Sequence, residues 1–365
     1  MSHVRPLVPE DLPQVVDLCV RVFGPPAGGS VEGLRSTLHE IFFGHPWRDD
    51  SLPSLVYEDN TRRIVGCVGV MPRPMSMNGR SLRAAISHTF MVERGSRSTL
   101  AGVELVKRFF SGPQDLSVAQ GSSNAGRKVV EGFGGSTSLL YGIRWTRPLR
   151  PGRYGLALLK RRGFQAALAS TLRPLAFAVD AITPLLRETP FHLKEPRLSG
   201  EELDSDTWRA CVATSSARRS LRPAYEADSL KWLLGQLAQK TGPGSFQKVV
   251  VRDSAGEIVG WYLYYLKRGA IGEVIQVGAT RDSLNEVLEH LFYHAWRLGV
   301  VAVSGQLDVT ALAAFSEEGC VLRHDGGPGL LIHSRDSNVL HAVHRGDAFI
   351  SRLEGEWWIG WLLNN

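Results

Sequence analysis

The sequence predicts an α/β (α+β) chain with two domains, each a mixed, mostly antiparallel twisted sheet flanked by helices, joined by a helical linker. Its 365 residues exceed the length at which a single hydrophobic core stops growing. Short strand patterns alternate with amphipathic helix patterns along the chain. One hairpin pattern occurs twice, as Asp59 followed by Ile64–Gly66 and as Asp253 followed by Ile258–Gly260. The equal offset within the same order of elements indicates a duplication.

The first segment predicts the order β-α-α-β-β-β-α-β-α-β. Residues 9–11 begin its first helix, with acids at the positive end of the helix dipole. Asn78-Gly79 is the strongest hairpin signal in the chain and joins strands expected at 64–75 and 82–92. The segment continues with a helix over 99–110, a strand over 115–119, a helix over 124–133 and a strand over 139–145.

The pattern of strands and helices restarts from about Leu203, and the chain is therefore predicted to have three parts. These are an N-terminal domain over 1–147, a helical linker over 148–197 and a C-terminal domain over 198–365 with a Trp-rich tail. The linker is interpreted either as helix packed across both domains or as a basic amphipathic surface for a membrane or partner. The tail either packs on a domain or offers Trp357 as an aromatic platform for a sugar-like acceptor.

Charge, cysteine content and hydrophobic pattern indicate which classes of protein are not expected. The net charge of +6 suits an anionic ligand or no special partner, and no stripe of Lys and Arg is interleaved with aromatics, so nucleic-acid binding is not expected. The four cysteines are far apart, which favours a reducing, cytoplasmic compartment. The start of the chain lacks an apolar leader, and the most apolar long stretch is interrupted by charges and prolines, so no transmembrane segment is expected. The histidine spacing predicts no metal site.

Four stretches carry a resemblance to a known superfamily: VRPLVPEDLPQVVDLCVRVFG, LVYEDNTRRIVGCVGVMPRP, FMVERGSRSTLAGVEL and SSNAGRKVVEGFGG. They resemble the first strand and helix, the second and third strands, the cofactor motif and the fourth helix of the GNAT (acyl-CoA N-acyltransferase) superfamily. The resemblance covers residues 1 to about 147, and residues 198 to 335 resemble the family by element order. It implies acetyl-CoA as co-substrate and a tandem form of the fold.

The cofactor motif follows a predicted strand and opens a helix. The first amides of a helix lack intrahelical partners, and with the helix dipole they suit a pyrophosphate. By resemblance, Arg97 falls on the family's Gln/Arg, Leu100 on its first Gly and Gly102 on its second, so Leu100 departs from the pattern. By the same resemblance, the edge of the strand at Met91 and Val92 pairs with the pantetheine arm, and Asn124 lies near the cofactor. The assigned cofactor-binding residues are Met91, Val92, Arg97, Ser98, Thr99, Leu100, Ala101, Gly102 and Asn124.

Acyl transfer to an amine needs a group that accepts the proton of the ammonium. His88 is one candidate base, on the predicted fourth strand, where it is expected to share a face with Ile86 and Phe90. A buried or surface histidine without catalytic duty is the alternative. Glu273, on the equivalent strand of the second copy, is the other candidate, with an ordinary edge carboxylate as its alternative.

The leaving thiolate needs a proton donor, for which the family often uses a Tyr on the fourth helix. Val130 and Phe315 occupy that slot in the two copies, so the usual acid is absent from both. Tyr141 or water is the substitute that the sequence offers.

The expected function is an N-acyltransferase that moves an acetyl group from acetyl-CoA to a primary amine of a small molecule, sugar or peptide. Two alternatives stay open. One is a catalytically inactive tandem module that binds a ligand or partner, and the other is a Fem-type aminoacyl transferase. The second half is expected to shape the acceptor site or a homodimer.

Overall fold

The computed structural model describes residues 3–26, 30–93, 95, 98–120, 124–163, 171–186, 189–240, 242–280, 283–324 and 329–363. The strands of these residues are β1 (His3–Pro6), β2 (Leu55–Glu58), β3 (Ile64–Met77), β4 (Arg80–Val92), β5 (Leu116–Ala119), β6 (Ser136–Ser138), β7 (Ile143–Pro148), β8 (Ser199–Glu202), β9 (Leu221–Pro223), β10 (Ser245–Arg252), β11 (Ile258–Leu266), β12 (Ile271–Ala279), β13 (Ala302–Gln306), β14 (Val321–His324) and β15 (Leu330–His333). The α-helices are α1 (Leu12–Phe23), α2 (Val31–His39), α3 (Ser98–Phe110), α4 (Asn124–Gly132), α5 (Pro151–Arg161), α6 (Arg173–Ile182), α7 (Ser205–Ser215), α8 (Ala227–Ala238), α9 (Leu284–Arg297), α10 (Leu312–Glu317), α11 (Ser337–His344) and α12 (Trp357–Leu363).

The chain divides by contact into two compact units made of segments that are distant in sequence. Unit 1 comprises Met1–Gly142, Ser216–Leu237 and Asp325–Asn365, and unit 2 comprises Ile143–Ser215 and Ala238–His324. The domains predicted from the sequence are instead contiguous segments, over 1–147, 148–197 and 198–365. These boundaries remain a prediction about where each repeat of the sequence begins and ends. The Trp-rich tail, which the sequence places with the second half, belongs to unit 1.

Unit 1 contains a mixed sheet with the strand order β1-β2-β3-β4-β5-β15-β6, and β9 pairs with β3. The only parallel pair in this order is β4 with β5. One face of the sheet packs on α3 and α4, where Val68, Ala85 and Leu105 are part of a buried cluster. The other face carries Cys67 and Gly69, and α1 packs there. Alternation of side chains along each strand produces this division into two faces.

Unit 2 contains a second mixed sheet with the order β8-β10-β11-β12-β13-β7-β14. Its strands match those of unit 1 position by position, and β12 with β13 is again the parallel pair. Helix α9 covers the core of this sheet with Leu288 and Phe292, beside Trp145 and Phe315. The expectation of two mixed, mostly antiparallel sheets flanked by helices is therefore confirmed.

The last strand of each half of the sequence lies in the sheet of the other half. β7 follows the first copy yet pairs with β13 and β14, and β15 follows the second copy yet pairs with β5 and β6. The sequence assigned both strands to their own copies. Because the pairing partners of a short apolar strand are not encoded in its own pattern, the sequence signal shows the strand and not the sheet.

The two repeated hairpins form the same turn. The Asp59 Oδ1 atom accepts hydrogen bonds from the amides of Thr61 (2.8 Å) and Arg63 (3.0 Å). Asp253 Oδ1 accepts equivalent bonds from the amides of Ala255 (3.0 Å) and Glu257 (2.9 Å). A short acceptor side chain that pairs with the backbone two residues on stabilises such turns. The matching hydrogen bonds of the two turns support the duplication inferred from the sequence.

One local prediction differs from the structure. Residues 139–145, expected as one strand, contain a 3-10 turn over Leu140–Gly142, with β6 before it and β7 after it. The region 148–197 is helical in α5 and α6, which belong to unit 2 and are joined by the Asp180 carboxylate. That carboxylate accepts hydrogen bonds from the Gly152 amide (2.7 Å) and the Arg153 side chain (2.6 Å).

All four cysteines are free, and Cys19, Cys67 and Cys211 are buried, as expected for small core residues. Within the described ranges, no helix is long and apolar enough to span a bilayer.

Candidate functional site

A β-bulge interrupts β4 in unit 1. Gly69 pairs with His88 whereas Cys67 pairs with Met91, so β4 carries one more residue than β3 between these pairs. Thr89 lies in this insertion with a φ of 49°, in the left-handed region that a β-branched residue rarely adopts. Bulges of this kind redirect side chains and are frequent next to functional sites.

The bulge corrects one expectation about His88. His88 and Phe90 were expected to share a face, but His88 stacks on Phe42, with ring centroids 5.4 Å apart, whereas Phe90 lies over Gly102 of α3. The inserted residue shifts the alternation by one position, so the two side chains lie on opposite faces. Ile86, which precedes the bulge, keeps the face of His88.

Beyond the bulge, β4 separates from β5. The two strands pair only over Ala84–Ile86 and Leu116–Val118, so the backbone of Ser87–Val92 has no partner strand on that side within the described chain. Helix α3 begins near this edge, and its first amides lack intrahelical acceptors. A free strand edge beside a helix N-terminus offers hydrogen bonds to an extended ligand and to an anion.

Those residues assigned to the cofactor that the structure describes lie on β4, in α3 and at the start of α4. Met91 is buried and pairs with Cys67, and Val92 pairs with Gly66. Leu100, which departs from the family motif, is 57% exposed, so its side chain points away from the core. The other assigned positions are Ser98 and Thr99 in the first turn of α3, buried Ala101, half-buried Gly102, and exposed Asn124 at the start of α4. Arg97 lies outside the described residues.

His88 is completely buried in unit 1. Its Nδ1 atom is hydrogen-bonded with the Thr89 hydroxyl at 3.0 Å, and its Nε2 atom has no partner among the described residues. Burial, with a smaller contribution from His45, lowers its pKa to about 3. Its imidazole is therefore neutral near pH 7 and a weak proton acceptor.

Glu273, the other candidate base, lies on β12 in unit 2. Its carboxylate forms an ion pair with Arg144 at 2.8 Å, and Arg144 also donates to the Ser304 hydroxyl. Like β4, β12 carries a bulge and separates from its parallel neighbour. There the side-chain Oε1 atom of Gln276 accepts hydrogen bonds from the indole N–H groups of Trp208 (2.7 Å) and Trp261 (3.0 Å). Indole rings thus occupy the surroundings of Gln276.

Tyr141, the candidate acid, lies in the 3-10 turn before β7 and donates its hydroxyl proton to the Ala348 carbonyl at 2.9 Å. Val130 is buried on α4 in the core of unit 1, and Phe315 is buried against Trp145 in unit 2. Both positions that the family often gives to tyrosine are therefore apolar core positions.

Sequence reasoning missed a polar cluster on the α1 face of the unit 1 sheet. His45, Trp47, Arg73 and His88 are all buried, and each has a side-chain nitrogen without a hydrogen-bond partner among the described residues. Arg73 shares its face of the sheet with His88, because its strand partner Ala84 lies an even number of residues before His88 on β4. The sequence signal that could have indicated this cluster is Arg73, the one charged residue of the mostly apolar strand β3.

Tryptophans continue from this cluster into the tail. Trp47 meets Trp232 edge-on at 5.5 Å, and Trp232 meets Trp358 edge-on at 6.0 Å. Trp358 is buried, whereas Trp357 lies under the Arg352 guanidinium at 4.0 Å. The tail therefore packs within unit 1.

No family model matches the chain, and no curated protein matches it in sequence. Solved structures match the fold. A GCN5-related N-acetyltransferase from Anabaena variabilis aligns with 92% of this chain and 74% of its own, at a TM-score of 0.60 and 9% identity. A probable N-acyltransferase from Enterococcus faecalis aligns with 92% of this chain and 72% of its own, at a TM-score of 0.56 and 11% identity. The chain has the GNAT fold.

A more distant match with this fold is the N-myristoyltransferase of Saccharomyces cerevisiae, solved with bound myristoyl-CoA. It aligns with 91% of this chain and 78% of its own, at a TM-score of 0.50 and 13% identity. The described residues contain no group of metal-binding side chains.

Proposed function

We propose that this GNAT-fold chain is an acyl-CoA-dependent N-acyltransferase that transfers an acetyl group from acetyl-CoA to a primary amine. The observation that carries the proposal is the free edge of β4 beyond its bulge, next to the start of α3. An extended pantetheine arm has amides that pair with such an edge, and a diphosphate suits the helix start. The fold neighbours named as acyltransferases, one of them holding myristoyl-CoA, support the same chemistry.

In this proposal, unit 1 holds the cofactor, and the amine attacks the thioester carbonyl beside the bulge. Backbone amides stabilise the oxyanion, as in other acyl transfers. The amine reaches the site deprotonated or loses its proton to water, because His88 is a weak base. Catalytic roles for His88, Glu273 and Tyr141 stay predictions, and Glu273 and Tyr141 already pair with Arg144 and a backbone carbonyl.

Thermal unfolding with CoA and acetyl-CoA tests cofactor binding. Ligand at one hundred times its dissociation constant stabilises a protein by about 2.7 kcal/mol. Leu100→Glu adds a negative charge to the first turn of α3 at an exposed position, and we expect it to weaken CoA binding about fivefold. Leu139→Glu, at an equally exposed position of unit 1, is the matched control. Equal CoA affinity in both variants contradicts the proposed location.

The second candidate function is a catalytically inactive module that binds an acyl-CoA or a partner. Val130 and Phe315 favour it, because buried apolar residues stand where the family often has an acid. Release of free CoA thiol from acetyl-CoA in the presence of an amine panel separates the two functions. CoA binding without any thiol release favours the inactive module.

A further inference from the structure

We propose that the cluster of His45, Trp47, Arg73 and His88 in unit 1 binds the carboxylate of the acceptor, which makes the acceptor a small amino acid-type molecule. The inference rests on the proposed function, since it identifies the second substrate of that reaction. It adds a substrate class that the fold leaves open.

Arg73 carries a positive charge that is buried in unit 1. Arg73 is 4% exposed, and its guanidinium carbon lies 3.8 Å from the ring centroid of Trp47. Its Nη2 atom donates to the Leu353 carbonyl at 2.7 Å, but Nη1 has no acceptor, and Arg73 forms no ion pair within the described part of the chain. An unpaired buried charge is costly, and a ligand anion removes that cost.

The nearby carboxylate of Glu354 is already engaged. Its Oε1 accepts a hydrogen bond from the Tyr225 hydroxyl, and its Oε2 accepts bonds from the amide (2.7 Å) and hydroxyl (2.6 Å) of Ser351. Glu354 is close enough to favour the charged form of Arg73, yet it does not contact it as a salt bridge. Glu354 therefore leaves Arg73 Nη1 without an acceptor among the described residues.

The cluster also contains buried N–H groups that have no acceptor among the described residues. The indole N–H of Trp47 and the Nη1–H of Arg73 are donors in every protonation state, and both are buried without an acceptor. In the tautomer in which His88 Nδ1 accepts from the Thr89 hydroxyl, the Nε2–H group is a third donor without an acceptor. His45 Nδ1 is a further buried nitrogen without a partner. Trp47 lies against the Arg73 guanidinium, and donors beside a positive charge select an anion and reject an ammonium group.

The net charge of the four side chains indicates which kind of anion the cluster binds. Burial lowers the pKa of His45 to about 4 and that of His88 to about 3, so both are neutral and Arg73 is the one cation of the four. One positive charge balances a carboxylate, whereas a phosphate dianion leaves a second charge buried without a partner. The four side chains are each less than a tenth exposed, which fits a small molecule better than a peptide chain.

The experiment compares free amino acids with their methyl esters on the purified full chain. The probes are the standard L-amino acids, β-alanine and 4-aminobutyrate, each beside its ester, with inorganic phosphate as a separate arm. We expect at least one free acid to raise the unfolding temperature and to shift the indole N–H resonance of Trp47, assigned by its loss in Trp47→Phe. The matching ester and phosphate have no such effect.

Arg73→Met tests the charge directly. It replaces a buried unpaired ion by an apolar side chain of similar length, so the variant is expected to fold. We expect its dissociation constant for the free acid to rise roughly 10- to 100-fold, the range for a lost hydrogen bond to a charged group. Arg48→Met removes the same charge from a neighbouring exposed position and keeps the affinity.

Measurement of CoA binding on the same samples separates the two proposals. If the wild type binds CoA but no free acid in preference to its ester, or if Arg73→Met binds the acid as well as the wild type, the carboxylate site is excluded and the acyltransferase proposal stands. If the acid binds through Arg73 while CoA does not bind, the acyltransferase proposal fails and the anion site remains.

Discussion

Gly69 sets the room available to His88. A Cβ atom at Gly69 would lie 2.2 Å from His88 Cε1, with the whole imidazole within contact distance. The absent side chain on β3 is therefore what allows a histidine to lie fully buried on β4 and to stack on Phe42.

Gly69→Ala is expected to lower the free energy of unfolding by about 1–3 kcal/mol, because the added methyl group forces His88 out of its position. Urea denaturation measures this change. Gly132→Ala, on α4 with nothing within 4 Å of its Cβ position, is the control and is expected to be neutral or slightly stabilising. Equal stability of the two variants would show that His88 moves without cost.

The low pKa values of His45 and His88 predict acid sensitivity. In the unfolded chain these groups titrate near their ordinary pKa of 6.5, whereas in the folded chain they titrate near 4 and 3. Between these values the unfolded state binds more protons, so stability is complete above pH 6.5 and falls as the pH falls. Each group contributes up to about 1.4 kcal/mol per pH unit.

The double variant His45→Gln, His88→Gln is expected to have a shallower loss of unfolding free energy between pH 6.5 and 4 than the wild type, measured by urea denaturation at several pH values. His341→Gln, at an exposed position of α11, is the control. An unchanged slope in the double variant would contradict the assigned pKa values.

The sequence predicted His88 on the fourth strand but not its neighbours. His45 and Trp47 follow a π-helical turn at Glu40–Gly44, and Arg73 lies on another strand, so their proximity is tertiary. The bulge at Thr89 was also hidden, because one inserted residue leaves an apolar strand pattern almost unchanged. Residue-level chemistry in this site therefore became visible only with the strand register.

At the scale of elements, the two Asp-turn hairpins are the most exact repeat in the molecule. Each connects the second and third strands of its sheet in sheet order, and each Asp accepts two backbone N–H groups. The sequence predicted this element well, because turn chemistry is local and depends on a few adjacent residues.

Asp59→Ala and Asp253→Ala are each expected to lower the free energy of unfolding by about 1 kcal/mol, since both leave two amides without their acceptor. Asp→Asn at the same positions keeps an acceptor oxygen and is the matched control. Urea denaturation of the four variants measures the effect. A loss in one hairpin but not in the other would show that the two turns are not equivalent.

At the scale of the whole molecule, the exchange of β7 and β15 ties the two halves of the sequence together. Each of these strands lies between two strands of the other half: β7 between β13 and β14, and β15 between β5 and β6. The sequence indicated both strands and the duplicated order but not the exchange, because strand pairing over a long separation is not encoded locally.

Fragments 1–197 and 198–365 are expected to be unfolded or aggregated when produced separately, because each lacks a strand inside the sheet that it mostly builds. Produced together, they are expected to form a folded complex. Circular dichroism and size-exclusion chromatography measure both results. A monomeric, cooperatively unfolding fragment 1–197 would contradict the requirement for β15.

The exchanged strands also have a consequence for synthesis on the ribosome. Because β15 ends at His333, the gap between β5 and β6 stays open until that residue has left the exit tunnel. Nascent chains commonly complete their N-terminal domain first, but here that order is not available. Until then the growing polypeptide exposes the unpaired edges of β5 and β6, and exposed edges of this kind are prone to pair with other chains.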